Sequence, residues 1–178
     1  MNAVDSKTKY VLAHSFVDKR TKEECIKFLK QIKDNCYQQI LERYLSEKHK
    51  KKKDRLLFEF ICDGFENYKS AFNKIFYRVA NLTFGVPIAC KKYGLLHNNN
   101  PVERYNGKLD DRLKIIRGGF GSFEGAKNFM DLQRVLHNFV NPHQELKEKT
   151  PAEMAEITLP LRRRKLLNLI RYLAKLRR

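Results

Sequence analysis

"RLLFEFICDGFENYKSAF" (Arg55–Phe72) decides the class of fold. Its first half is too apolar and too β-prone for a surface loop, and Asp63-Gly64 breaks it. A buried strand over Leu56–Cys62 is predicted, with Asp63 at its carboxyl end. The second half changes period: Ala71, Phe72, Ile75, Phe76 and Val79 recur at helical spacing. A strand running into a helix is one step of an alternating pattern, and the flanks extend it. Upstream, "KYVLAHSFVDKR" predicts a strand over Lys9–Val17. Thr21 with Glu24 then makes a capping-box signal for a helix over Lys22–Leu45, with Cys25, Phe28, Leu29, Ile32, Cys36, Ile40 and Tyr44 on its apolar side. Downstream, "NLTFGVPIAC" (Asn81–Cys90) reads as a strand that Pro87 shortens or confines to an edge. A helix over Phe123–Val140 follows, ending at Asn141-Pro142. The order strand, helix, strand, helix, strand, helix, helix predicts an α/β protein with helices packed on a small sheet. Ligands of such sheets bind off the carboxyl ends of the strands, where Asp63 stands.

The chain has 178 residues and is 42% hydrophobic, enough for a packed core. Lys and Arg number 37 against 20 Asp and Glu, a formal charge of +17. That excess favours a polyanionic partner, nucleic acid before an anionic membrane. Ser46–Arg55 is a basic low-complexity run, read as a solvated loop. "LRRRKLLNLIRYLAKLRR" (Leu161–Arg178) contains no acidic residue and predicts a basic amphipathic helix with Leu166, Leu169, Ile170 and Leu173 as its stripe. Cys25, Cys36, Cys62 and Cys90 form no CxxC pair and lie in apolar segments, which predicts reduced, buried thiols. With no signal peptide and no apolar run able to span a bilayer, a cytoplasmic protein is expected.

"HNNNPVERYNGKLDDRLKIIRGGF" (His97–Phe120) places one carboxylate at the entrance of a basic helix. Locally, Asn100 serves as N-cap, Pro101 as first helical residue, and Glu103 as the third, reaching back to the cap. Chemically, Asp63 ends a strand and Glu103 begins a later helix. If that helix packs on the sheet, the two carboxylates share a site. Hard cations such as Mg²⁺ or Mn²⁺ take oxygen ligands and keep waters that phosphates can replace. Two such ions about 3.5–4 Å apart can drive an in-line displacement at phosphorus.

Three segments together resemble the DDE transposases of bacterial and archaeal insertion sequences, relatives of retroviral integrases. "ICDGFENYKSAF" (Ile61–Phe72) is similar to their second-aspartate segment, His97–Phe120 to their glutamate helix, and "HNFVNPHQELKEKTPAEMA" (His137–Ala155) to their C-terminal signature. The resemblance implies an RNase H-like fold: the mixed sheet of an integrase catalytic core, flanked by helices. It implies Asp63 and Glu103 as catalytic metal ligands for Mg²⁺ or Mn²⁺, and DNA strand transfer as the ancestral chemistry. The family's first aspartate precedes a phrase like "AVDSKTKYVLAHSF", which begins here at Ala3. A core lacking its first strand and first catalytic aspartate is therefore expected, and with it an inactive enzyme. Asp5 reads as a turn residue rather than a substitute ligand.

The expected organisation is a partial catalytic core over 1–157 and the basic helix over 158–178. Lys108, Arg112 and Lys114 are candidate contacts to DNA phosphates, as that helix makes in the family. Asn98 and Asn99 are lesser DNA candidates, and His143 is expected to make a structural hydrogen bond. The expected partners are DNA, as transposon end or target, and a full-length transposase or second copy; no membrane is expected. The competing reading is a non-catalytic protein that binds DNA or modulates a transposase.

Overall fold

The computed structural model describes residues 1–84, 100–116 and 119–176. In chain order the elements are β1 (Asn2–Val4), β2 (Val11–His14), α1 (Lys22–Glu47), a 3-10 turn (Lys52–Asp54), β3 (Glu59–Cys62), α2 (Glu66–Phe76), β4 (Asn81–Phe84), α3 (Asn100–Leu113), α4 (Phe123–Val135), a π turn (Leu136–Val140), a second 3-10 turn (Gln144–Leu146), α5 (Pro151–Met154) and α6 (Lys165–Leu176). The described chain is mixed α/β, mostly helical, with two two-stranded sheets. It divides into two units, one of Met1 and Val17–Glu103, the other of Asn2–Phe16 and Arg104–Arg178.

In the first unit, Thr21 caps α1 by accepting the Glu24 N–H at 3.3 Å. The expected reciprocal bond gives way: the Thr21 N–H goes to the Lys19 carbonyl, and the Glu24 carboxylate takes the Lys27 ammonium at 2.6 Å. Cys25, Phe28, Leu29, Ile32 and Ile40 are buried, as the spacing requires. Cys36 breaks the helix at φ −142°, ψ 15°. The basic run after α1 is solvent-exposed from Lys48 to Asp54, as expected, with one 3-10 turn over Lys52–Asp54. The buried Glu47 carboxylate accepts from the Lys50 ammonium at 2.9 Å and from the Leu56 N–H at 2.9 Å.

β3 and β4 pair in parallel, Glu59 opposite Asn81 through Cys62 opposite Phe84, and α2 makes the crossover that parallel strands need. Phe60 faces α2, its ring 5.2 Å from Phe72 and 4.9 Å from Phe76. The predicted buried strand over Leu56–Cys62 is corrected. β3 begins at Glu59 and is half-buried, and Leu56 is 69% exposed. Among the described residues β3 pairs with β4 alone, which leaves its residues only partly covered. Val79 likewise lies beyond α2, which ends at Phe76 just before Arg78 turns left-handed at φ 65°. Of the predicted strand over Asn81–Cys90, Asn81–Phe84 is strand; Pro87 and Cys90 lie outside the described residues.

In the second unit, β1 and β2 form an antiparallel hairpin with Asn2 opposite His14 and Ala3 opposite Ala13. The predicted strand over Lys9–Val17 shrinks to Val11–His14, because Lys9 belongs to the turn at φ 61°. Asp5 organises that turn as expected: one oxygen accepts the N–H of Lys7 at 3.1 Å, and the N–H and hydroxyl of Thr8 at 2.6 and 2.7 Å. Val11 packs with Tyr105 and Leu109 of α3, with Val4 and Met130 against them. The helix predicted over Phe123–Val140 is α-helical to Val135 and widens into the π turn. Thr150 and Glu153 cap α5 reciprocally, with Pro151 in its first turn. Lys165 of α6 donates to Glu153 at 2.7 Å, and Asn168 donates to the Leu161 carbonyl at 2.6 Å. Of the α6 stripe only Leu169 is buried; Leu166, Ile170 and Leu173 face outward. Among the described residues no helix is long and apolar enough to cross a membrane.

Candidate functional site

Asp63 follows β3 directly and is half exposed. Its Oδ2 accepts from the Arg20 guanidinium at 2.8 Å, and its Oδ1 takes a long bond from the Phe65 N–H at 3.4 Å. Arg20 is held from two further sides. Its guanidinium lies 4.6 Å above the Phe65 ring, and its carbonyl accepts from the Asn67 amide at 3.2 Å. The strand-end carboxylate therefore carries a resident counter-ion. Beside it, burial and then the Asp63 charge push the Cys62 thiol up to about 11, so it stays protonated at neutral pH.

Glu103 stands exposed in the first turn of α3. The helix begins at Asn100, with Pro101 and Glu103 in its first turn. Among the described residues no cluster of three or more His, Cys, Asp and Glu side chains is able to hold a metal ion.

A denser polar assembly lies in the second unit, where the π turn grips the β1–β2 turn. His137 Nε2–H donates to the Lys9 carbonyl at 2.9 Å. The Asn138 amide donates to the Val11 carbonyl at 3.1 Å and accepts the Val11 N–H at 2.9 Å. The Phe139 ring meets Tyr10 edge-on at 6.1 Å. Three consecutive side chains hold residues 9–11. The His137 ring also stands edge-on to Tyr105 at 4.9 Å and to His143 at 6.3 Å.

His143 Nε2 accepts from the Lys108 ammonium at 3.1 Å, which requires that nitrogen to be unprotonated. Burial first, then the Lys108 charge, holds the imidazole below its ordinary range, so it is neutral at pH 7. The hydrogen bond expected of His143 is therefore present. Two residues on, Glu145 pairs with Lys9 at 3.6 Å and, through its other oxygen, with Arg104.

Of the predicted DNA contacts, Lys108 joins this assembly and Arg112 is exposed one turn later on α3. Lys114 lies just past the helix and pairs with Asp111 at 3.0 Å. Asn98 and Asn99 fall outside the described residues. Sequence reasoning missed Arg104, although Arg104, Lys108 and Arg112 recur every four residues and so share one helical stripe. Lys9, Asn138 and Glu145 carried no local signal, because their roles depend on contacts across the chain. No protein family, curated protein or solved structure matches the chain.

Proposed function

We propose that this chain is a DDE transposase-related protein that handles DNA, with Asp63 and Glu103 as metal ligands of a strand-transfer site for Mg²⁺ or Mn²⁺. The observation that carries the reading is the position of these two acids: one directly after a parallel strand, the other in the first turn of the helix that follows the next strand. The parallel β3–β4 pair with its helical crossover is a unit that an RNase H-like sheet contains. The three motif segments retain the family's order along the sequence.

On this reading, a cation bound by the two carboxylates would stabilise charge at the phosphorus and activate the attacking oxygen. The chain's own residues must first release Asp63 from Arg20. An exposed ion pair of this type contributes only about 0.2–1 kcal/mol, so an arriving divalent ion can displace it. Two acids leave the ion under-neutralised, and strand transfer by these 178 residues alone is expected to be absent. A nicking and strand-transfer assay in Mg²⁺ or Mn²⁺ tests this. Robust turnover abolished by Glu103→Gln refutes the inactivity. Mn²⁺ affinity unchanged by Asp63→Asn removes Asp63 from the site.

The second reading is a non-catalytic DNA-binding or transposase-modulating protein. The counter-ion already seated on Asp63 and the cations gathered around His143 favour it. DNA affinity measured without divalent ions addresses it separately.

A further inference from the structure

We propose that Lys9, Arg104 and Lys108, the last positioned by His143, form a binding site for a backbone phosphate of duplex nucleic acid, and that the Glu145 carboxylate fills the phosphate's place in the free protein. The inference rests on the nucleic-acid partner proposed above and adds the place and the groups that hold it.

The geometry is that of an occupied anion site. The two oxygens of Glu145 are divided between two cations, Oε2 toward Lys9 and Oε1 toward Arg104. The two non-bridging oxygens of a phosphodiester divide in the same way between basic side chains. Lys108 is the cation left over. Its partner is the neutral His143 ring, so no carboxylate is matched to its charge there. Burial alone raises a carboxyl's pKa, yet the Arg104 and Lys9 charges bring the Glu145 carboxyl below its usual range.

The site is open and its parts are fixed. Glu145 is 47% exposed and Arg104 67%, so an anion from solvent reaches both. The Lys9 backbone is set by the His137 bond to its carbonyl and by the Asn138 clamp on Val11. Lys9 also sits at φ 61°, in the left-handed region that favours glycine, so a lysine is kept there against backbone strain.

The stripe of Arg104, Lys108 and Arg112 suits a polymer better than a free anion. Eight residues of helix rise about 12 Å, and each strand of a duplex offers one phosphate per roughly 3.4 Å of axis. The line of charge can follow several phosphates. Nucleic acid thus displaces Glu145 at one end and continues along α3.

The test is anisotropy of a short labelled duplex in EDTA, which silences metal chemistry, across a salt series. Lys9→Asn keeps a residue tolerant of the left-handed backbone, and Arg104→Gln keeps a polar stem. Each is expected to flatten the log–log salt slope by about 0.9, the loss of one phosphate contact. Glu145→Gln is expected to tighten binding about two- to fivefold, because no internal anion then competes. Lys30→Ala removes an equal charge from α1 and is expected to leave the slope unchanged. Wild-type binding with unaltered slopes in Lys9→Asn and Arg104→Gln overturns this site while leaving a DNA partner standing. Equal effects from Lys30→Ala, or unchanged affinity in Glu145→Gln, overturn it as well. No wild-type binding at low salt overturns the site and the DNA partner together. Circular dichroism checks folding; if Lys9→Asn does not fold, Arg104→Gln gives the same reading from an exposed side chain.

Discussion

Asn138→Ala is the most informative perturbation of this fold. The residue is 3% exposed and its amide serves both backbone groups of Val11, itself 1% exposed. Truncation leaves a buried N–H and a buried C=O without partners. Each costs roughly 1–3 kcal/mol, so a loss of about 3–5 kcal/mol is expected, a large share of the 5–15 kcal/mol that usually separates folded from unfolded chains. Urea unfolding followed by circular dichroism measures it through the midpoint at unchanged slope. Asn138→Asp supplies the finer test. The introduced carboxylate still accepts the Val11 N–H but cannot donate to the Val11 carbonyl. Once protonated it can do both. Its folded-state pKa is therefore raised above the unfolded value of about 3.9. Relative to wild type, the variant is weakest above that raised pKa and recovers as pH falls through it. A deficit below about 1 kcal/mol in Asn138→Ala, or one in Asn138→Asp that ignores pH, refutes the clamp.

Tyr105→Phe is expected to be neutral or to stabilise by up to about 1 kcal/mol in the same unfolding assay, because the buried Tyr105 hydroxyl has no hydrogen-bond partner among the described residues. His14 is buried, its Nδ1–H donates to the Asn2 side chain at 2.6 Å, and burial lowers its pKa to about 4. Only the unfolded chain holds that proton between about pH 4 and 6.5, so stability is fully present above this window and falls through it by up to about 1.4 kcal/mol per pH unit. His14→Gln flattens that slope in a pH series of unfolding midpoints. Thr150→Ala costs about 1–2 kcal/mol by removing the α5 cap, with Thr150→Ser retaining most of the stability; equal losses in both refute the capping role. Arg20→Gln tightens Mn²⁺ binding about fivefold by freeing Asp63, read by titration calorimetry; unchanged affinity separates Asp63 from metal binding.

Elements whose determinants lie within one turn of sequence were legible. Thr21 announced the start of α1, and its apolar spacing named five of the residues that are buried. Asp63 was placed correctly at the end of a strand, since Asp-Gly interrupts pairing whatever surrounds it. β1 was missed because three residues carry no readable period; Asn2–Val4 is a strand only through its pairing with β2. Leu56 and Phe58 were misread as buried, since apolar composition cannot reveal which face a two-stranded pair leaves uncovered. The Cys36 break and the π turn were equally silent, because a local change in helix geometry leaves the spacing of apolar residues intact. At the candidate site, the two acids and the basic helix were visible, whereas the meeting of Lys9 with Glu145 spans the chain and has no sequence signature.

The outward face of α6 bears on how the protein behaves in a tube. Leu166, Ile170, Leu173 and Leu176 are each about half exposed or more, and no acid occurs from Ile157 to the last residue. In dilute buffer, mutual repulsion between these cationic ends keeps copies apart. Near 1 M salt the screening length contracts to about 3 Å, and greasy side chains are left facing one another without that barrier. Stripping adherent polyanions during purification calls for the same brine that invites precipitation, so yield and purity pull in opposite directions.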